Sequence, residues 1–144
     1  MDLILKWKLR GQYHRQKTIR QRNTDNNIRQ ITLAAFNVVH ENDDYETALK
    51  LKLLTVLSGV EIPVASAILT LCFPNLYSVI DIRNWRQLYA ESSNKTSYTI
   101  KEYLNYLLEI RKLAAQFEVT PQEIDLAIWQ FDDEEQKQKR SLKV

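Results

Sequence analysis

The sequence predicts an all-α protein, an orthogonal bundle of six to seven helices in a single domain spanning 1–144. Three observations carry that expectation. Two glycines and three prolines in 144 residues are too few for the many turns of a sandwich or barrel. Apolar residues recur at helical spacing along most of the chain, with no sustained alternation. Neither a repeat nor a low-complexity linker divides it. At 44% hydrophobic and 26% charged, the composition is that of a folded domain with a real core. No apolar run reaches the ~18 residues of a membrane span, so no membrane partner is expected. The opening MDLILKWKLR is too short an apolar stretch for a signal peptide, which predicts a cytoplasmic protein.

The first element, 1–27, reads as a basic arm. Residues 1–29 hold eight Lys/Arg, among them Lys6, Lys8, Arg15 and Lys17, against only Asp2 and Asp25, a local charge of +6. The chain's net charge is +2, so residues 30–144 carry −4. Basic residues interleaved with Trp7 and Tyr13 suit a polyanion, because cations displace phosphate counterions and rings stack on bases. The alternative is a solvated N-terminus.

Helical spacing begins at Ile28 and continues through Ile31, Ala35, Val38 and Val39. Asp43 or Asp44 is placed to cap a next helix with Tyr45, Leu49, Leu53, Val56 and Leu57 on its inner face. Gly59 suits a helix C-terminus and Pro63 the first turn of the following helix. Val64 to Cys72 is apolar nearly all round and reads as the central buried helix, with Cys72 a buried small hydrophobe. That single cysteine excludes an internal disulfide and a cysteine-based zinc site within one chain.

A turn at Pro74–Tyr77 leads to a short extended piece, Ser78 to Ile80, and Asp81 precedes a helix from Ile82 to Tyr89. Ile100, Tyr103, Leu104, Leu107, Leu108, Arg111 and Ala115 mark a long amphipathic helix. Thr120-Pro121-Gln122-Glu123 starts the last one with a capping threonine, an N1 proline and a capping-box glutamate. Ile124, Ala127, Ile128 and Phe131 supply its buried face, with Asp125 a surface acid and Trp129 a packing anchor. The charged tail, 132–144, reads as a fraying helix end without chemistry of its own. His14 and His40 are too isolated for a metal site.

The stretch Leu57-Ser58-Gly59-Val60-Glu61-Ile62-Pro63-Val64-Ala65-Ser66-Ala67 within 45–73 resembles a helix-hairpin-helix element, whose usual hairpin reads L-x-G-V-G before a small-residue helix. Twenty-two residues after Gly59 stands Asp81, within Val79-Ile80-Asp81-Ile82-Arg83-Asn84-Trp85-Arg86. This is similar to the V-D-x-H/R segment that follows the hairpin in the helix-hairpin-helix DNA glycosylase superfamily, the endonuclease III, MutY and 8-oxoguanine glycosylase group.

The resemblance implies DNA as partner and base-excision repair as the setting. Hairpin amides around Gly59, Val60, Glu61 and Ile62 would grip a phosphate, with or without a monovalent cation and with no other cofactor. It assigns Asp81 to stabilising the sugar cation or orienting the attacking water, while plain capping chemistry makes Asp81 the N-cap of the next helix; the two are compatible. Lys6, Lys8, Arg15 and Lys17 of the arm would meet phosphates, and Arg83 either meets a phosphate or pairs with acidic neighbours. Tyr77 and Trp85 are either walls of a base pocket or core residues.

Two positions depart from the family pattern. Pro63 stands where bifunctional members carry a lysine nucleophile, so Schiff-base lyase chemistry is excluded there. Glu61 replaces the second hairpin glycine and puts a negative charge where phosphate would approach. The expected function is a DNA-binding, monofunctional N-glycosylase-like protein. The alternatives are a non-catalytic DNA-binding or protein-interaction module and a purely structural helical protein.

Overall fold

In the computed structural model the described residues are 2–9, 13–14, 17–90 and 95–142, and they form eight helices and no strand. These are α1 (Asp2–Leu9), α2 (Lys17–Arg20), α3 (Asp25–Phe36), α4 (Asp43–Leu54), α5 (Ile62–Cys72), α6 (Ile82–Tyr89), α7 (Ile100–Phe117) and α8 (Pro121–Ser141). The extra elements lie in the region read as an arm. Leu5 of α1 is buried and α1 packs against α5. Arg20 of α2 is also buried, its guanidinium 3.9 Å from the centre of the Tyr13 ring. The basic segment is therefore partly built into the bundle.

Helix starts follow local chemistry. Thr24, Thr99 and Thr120 each accept a backbone N–H three residues on, the latter two with reciprocal bonds from Glu102 and Glu123. Asp81 caps α6, its Oδ1 accepting from the N–H groups of Arg83 and Asn84 at 3.0 Å each. The α4 cap is Asn42, whose Oδ1 takes the Tyr45 N–H at 2.8 Å, so neither Asp43 nor Asp44 has that role. Helix α3 starts three residues before Ile28, because Thr24 supplies the cap.

Central α5 has Val64 to Thr70 buried without interruption, whereas Leu71 and Cys72 at its end are exposed, so the thiol is no core residue. The inner face of α4 is rotated from the expected one. Thr47, Lys50, Leu51 and Leu54 are buried, and Tyr45 and Val56 are exposed. A lysine fits inside because Lys50 Nζ donates to Val38 O at 2.7 Å and pairs with Glu46 at 3.0 Å. Leu108 and Ala115 of α7 likewise face solvent, with Tyr106, Ile110 and Ala114 buried in their place.

Helix α8 runs through the expected tail. Asp132 is fully buried and takes two bonds from Arg86 and one from Gln87, while Asp133 pairs with Arg83 at 2.7 Å. The acidic block of the tail is thus the surface on which α6 docks. Ala127 and Phe131 are exposed, and the α8 face turned inward carries Pro121, Ile124, Asp125 and Asp132.

Candidate functional site

A cleft of about 860 Å³ opens where α1, the α4–α5 hairpin, the segment preceding α6, and α8 converge. Gly59, Glu61 and Pro63 line it from the hairpin; Val79, Asp81, Arg83 and Asn84 from the α6 side. Trp7 and Lys8 come from α1, Lys95 from the segment before α7, and Asp125 and Trp129 from α8. Residues up to 122 positions apart in sequence are brought together here.

Local chemistry explains the hairpin. Gly59 has φ 79°, a left-handed conformation that a side chain would oppose. The Val60 N–H closes the turn on Leu57 O at 3.0 Å. Asn23 then clamps it from the α2–α3 turn, accepting from Ser58 N at 2.9 Å and donating to Ser58 O at 2.8 Å. Glu61 is extended and exposed at the N-cap of α5, and its side chain makes no cap bond. Val60 and Ile62 send their side chains into the core, leaving only their backbone to the surface. Two hairpin carbonyls, those of Leu57 and Ser58, accept bonds from the Val60 N–H and from Asn23 Nδ2.

Asp81 meets the cleft with its Oδ2 3.9 Å from Lys8 Nζ, which also reaches Ile80 O at 3.5 Å. Arg83 is paired with Asp133 and lies 4.4 Å from the centre of the Trp129 ring. Lys95 pairs with Glu102 and sits 5.0 Å from the Trp85 ring centre. Lys6 and Lys17 are exposed outside the cleft, and Arg15 lies outside the described residues.

Tyr77 and Trp85 are core residues and not pocket walls. Tyr77 is 1% exposed and packs edge-on against Phe73; Trp85 is buried between Tyr89 and Tyr98. The aromatic side chains that do line the cleft are Trp7, Tyr98 and Trp129. Asp125, expected at the surface, is 4% exposed and its Oδ2 accepts the Val79 N–H at 2.7 Å. Burial pushes its carboxyl up to about 6 against the pull of the bonds from Val79 and Ser78, with Asp81 adding to the rise and Lys8 opposing it. A signal for Asp125 exists in the sequence. Asp125, Ile128 and Asp132 follow a three-then-four spacing, which puts two carboxylates on one inward stripe.

Among the described residues no cluster of three His, Cys, Asp or Glu could hold a metal ion. His40 Nδ1 accepts the Asn42 N–H at 2.9 Å, a loop contact, and His14 packs edge-on against Tyr13. No helix among the described residues is long and apolar enough to cross a membrane. No protein-family model, curated protein or solved structure matches this chain.

Proposed function

We propose that the protein binds DNA along the hairpin and the basic N-terminal side and takes an extruded nucleotide into the cleft, where Asp81 is the working group of a monofunctional N-glycosylase. One juxtaposition carries this reading: Gly59, Glu61 and Pro63 of the hairpin line the same cleft as the Asp81 carboxylate. The cleft has the size of a small-ligand site, and the indole rings of Trp7 and Trp129 offer apolar surface to a base.

In this chemistry the bond from the sugar C1′ to the base nitrogen breaks, and its electron pair leaves with the base. Positive charge develops on the sugar, where a fixed carboxylate favours it. Water then gives hydroxide to C1′ and its proton to the departing base, leaving an intact abasic strand. Pro63 offers no amine for a subsequent lyase step.

A second reading, a binding module without catalysis, is favoured by the charges at the cleft. Glu61 adds an anion on the hairpin side, and Lys8 near Asp81 offsets part of the charge a sugar cation would meet. One experiment separates the two. Duplexes carrying uracil, oxidised or alkylated bases are incubated with the protein and treated with alkali; at least one is expected to yield alkali-dependent cleavage. Asp81→Asn is expected to lose excision by about 10²-fold or more. Its fold and DNA affinity should persist, because an amide oxygen can still accept from Arg83 and Asn84. Salt-dependent DNA binding with no excision by the wild type supports the binding module instead.

A further inference from the structure

The segment from Ser78 to Ile80 is irregular backbone inside the protein, and its polar groups are satisfied almost entirely by side chains. Tyr103 donates to Ser78 O at 3.0 Å, and Tyr106 and Asn84 donate to Val79 O at 2.8 and 3.2 Å. Ile80 N–H reaches Ser66 Oγ at 3.1 Å, and the Ser78 and Tyr106 hydroxyls lie 3.0 Å apart. These partners are neutral, while the Lys8 ammonium reaches Ile80 O at 3.5 Å. The Val79 N–H is given a buried carboxylate, Asp125, which the Ser78 hydroxyl also meets, although an amide oxygen would satisfy it without placing a charge in the interior. Two residues further on stands Asp81, in the same cleft.

We propose that Asp125 is the positioning residue for Asp81: from α8 it anchors the segment that presents the Asp81 carboxylate to the cleft, through a charge-assisted bond that weakens when Asp125 takes up a proton. The inference rests on Asp81 being the working group of the cleft. Charged and titratable groups facing Asp125 are Asp81 before α6, Lys8 on α1, and Tyr103 and Tyr106 on α7. Burial holds both tyrosine hydroxyls far above neutrality, whereas it raises the Asp125 carboxyl toward neutral pH. As pH falls from about 7 to about 5 the bond to Val79 therefore changes from charge-assisted to neutral, and an anion beside Asp81 disappears.

The test has an arm that needs no activity. Amide proton and nitrogen shifts of the full-length protein are followed from pH 4.5 to 8. The Val79 amide and the two amides capped by Asp81, those of Arg83 and Asn84, are expected to share a midpoint near 6 that vanishes in Asp125→Asn. A Val79 amide that titrates while those of Arg83 and Asn84 stay still would overturn the proposal, as would a shared midpoint that survives the substitution. The wild-type titration decides the matter even if the variant fails to fold. In the second arm, single-turnover excision by wild type should fall below pH 6 with unchanged DNA affinity, and Asp125→Asn should flatten that limb. Absence of excision in wild type removes the glycosylase reading and leaves the amide titration to judge Asp125. A pH limb unchanged in Asp125→Asn overturns the positioning role.

Discussion

The hairpin between α4 and α5 and the Ser78–Asp81 segment both bring non-helical backbone to the cleft, but their hydrogen bonds come from different distances. The hairpin is closed by neighbours: Leu57 N–H on Leu54 O, Val60 N–H on Leu57 O, and a left-handed glycine, with Asn23 as the one remote clamp. The Ser78–Asp81 segment draws on Ser66, Tyr103, Tyr106 and Asp125, from 14 to 46 residues away, on three different helices. The hairpin is a local structure placed on the surface. The segment is a product of the assembled bundle, and its geometry persists only while α5, α7 and α8 are all in place.

The largest effect on stability should come from the segment. Tyr106→Phe removes the donor to Val79 O, the partner of the Ser78 hydroxyl and an acceptor for Asn84 Nδ2, all buried. Each unsatisfied buried group costs about 1–3 kcal/mol, and Asn84 still serves Val79 O, so a loss of about 2–3 kcal/mol is expected in urea unfolding. A loss below about 0.5 kcal/mol would mean that the segment does not depend on α7 for its geometry.

This difference in range explains what could be read from the sequence. The Gly59 turn, the Pro63 start of α5, the Asp81 cap and the Thr120–Glu123 capping box are decided within a few residues, and each was legible. The inner face of α4 was not, because a buried lysine depends on Val38 O and Glu46 to make it tolerable. Nor was the docking of α6 on Asp132 and Asp133, since a run of four acids reads as solvated until Arg83, Arg86 and Gln87 are brought against it. Of the cleft, Asp81 and its hairpin neighbours could be found by motif. Asp125 carries a spacing signal on the inward stripe of α8, but a carboxylate there reads as surface until its buried partner is known, and Trp7 and Trp129 were missed as walls because ring placement is tertiary.

The second effect has the opposite sign. Asp125 titrates near 6 in the folded protein and near 4 when unfolded, so the native state holds the extra proton between those values. Stability from this group is fully present below about pH 4 and is lost as pH rises through 6. Asp125→Asn still offers Val79 an acceptor without the buried charge. It is expected to be more stable than wild type by about 1–2 kcal/mol at pH 8, with little difference at pH 4. Thermal melts across that range measure it, and equal destabilisation at both pH values would show that the carboxylate is needed for packing alone.

A smaller cost is expected in the hairpin. Gly59→Ala places a Cβ at φ 79°, worth about 1 kcal/mol, and leaves the Asn23 clamp and the Val60 bond in place. A loss as large as that of Tyr106→Phe would erase the distinction between a local turn and an assembled segment.

The smallest stability change should belong to Glu61, and here the comparison turns from folding to binding. Its side chain caps nothing, and its φ of −99° and ψ of 175° are extended backbone that many residues adopt. Glu61→Gly should therefore change stability by no more than a few tenths of a kcal/mol, because no capping bond is lost and glycine is itself well tolerated at a helix N-cap. What it removes is a negative charge on the hairpin side of the cleft. If a phosphate lies against the hairpin amides, relief of that repulsion at an effective surface dielectric is worth about 1 kcal/mol, or roughly five-fold in affinity for DNA. The gain should shrink as salt rises, because an exposed charge is screened. Titration of a labelled duplex at two ionic strengths reads both quantities. Weaker binding by a folded Glu61→Gly variant would mean that Glu61 meets a cationic or hydrogen-bond-donating group of the ligand, and the hairpin would then have to be withdrawn as a phosphate-binding turn.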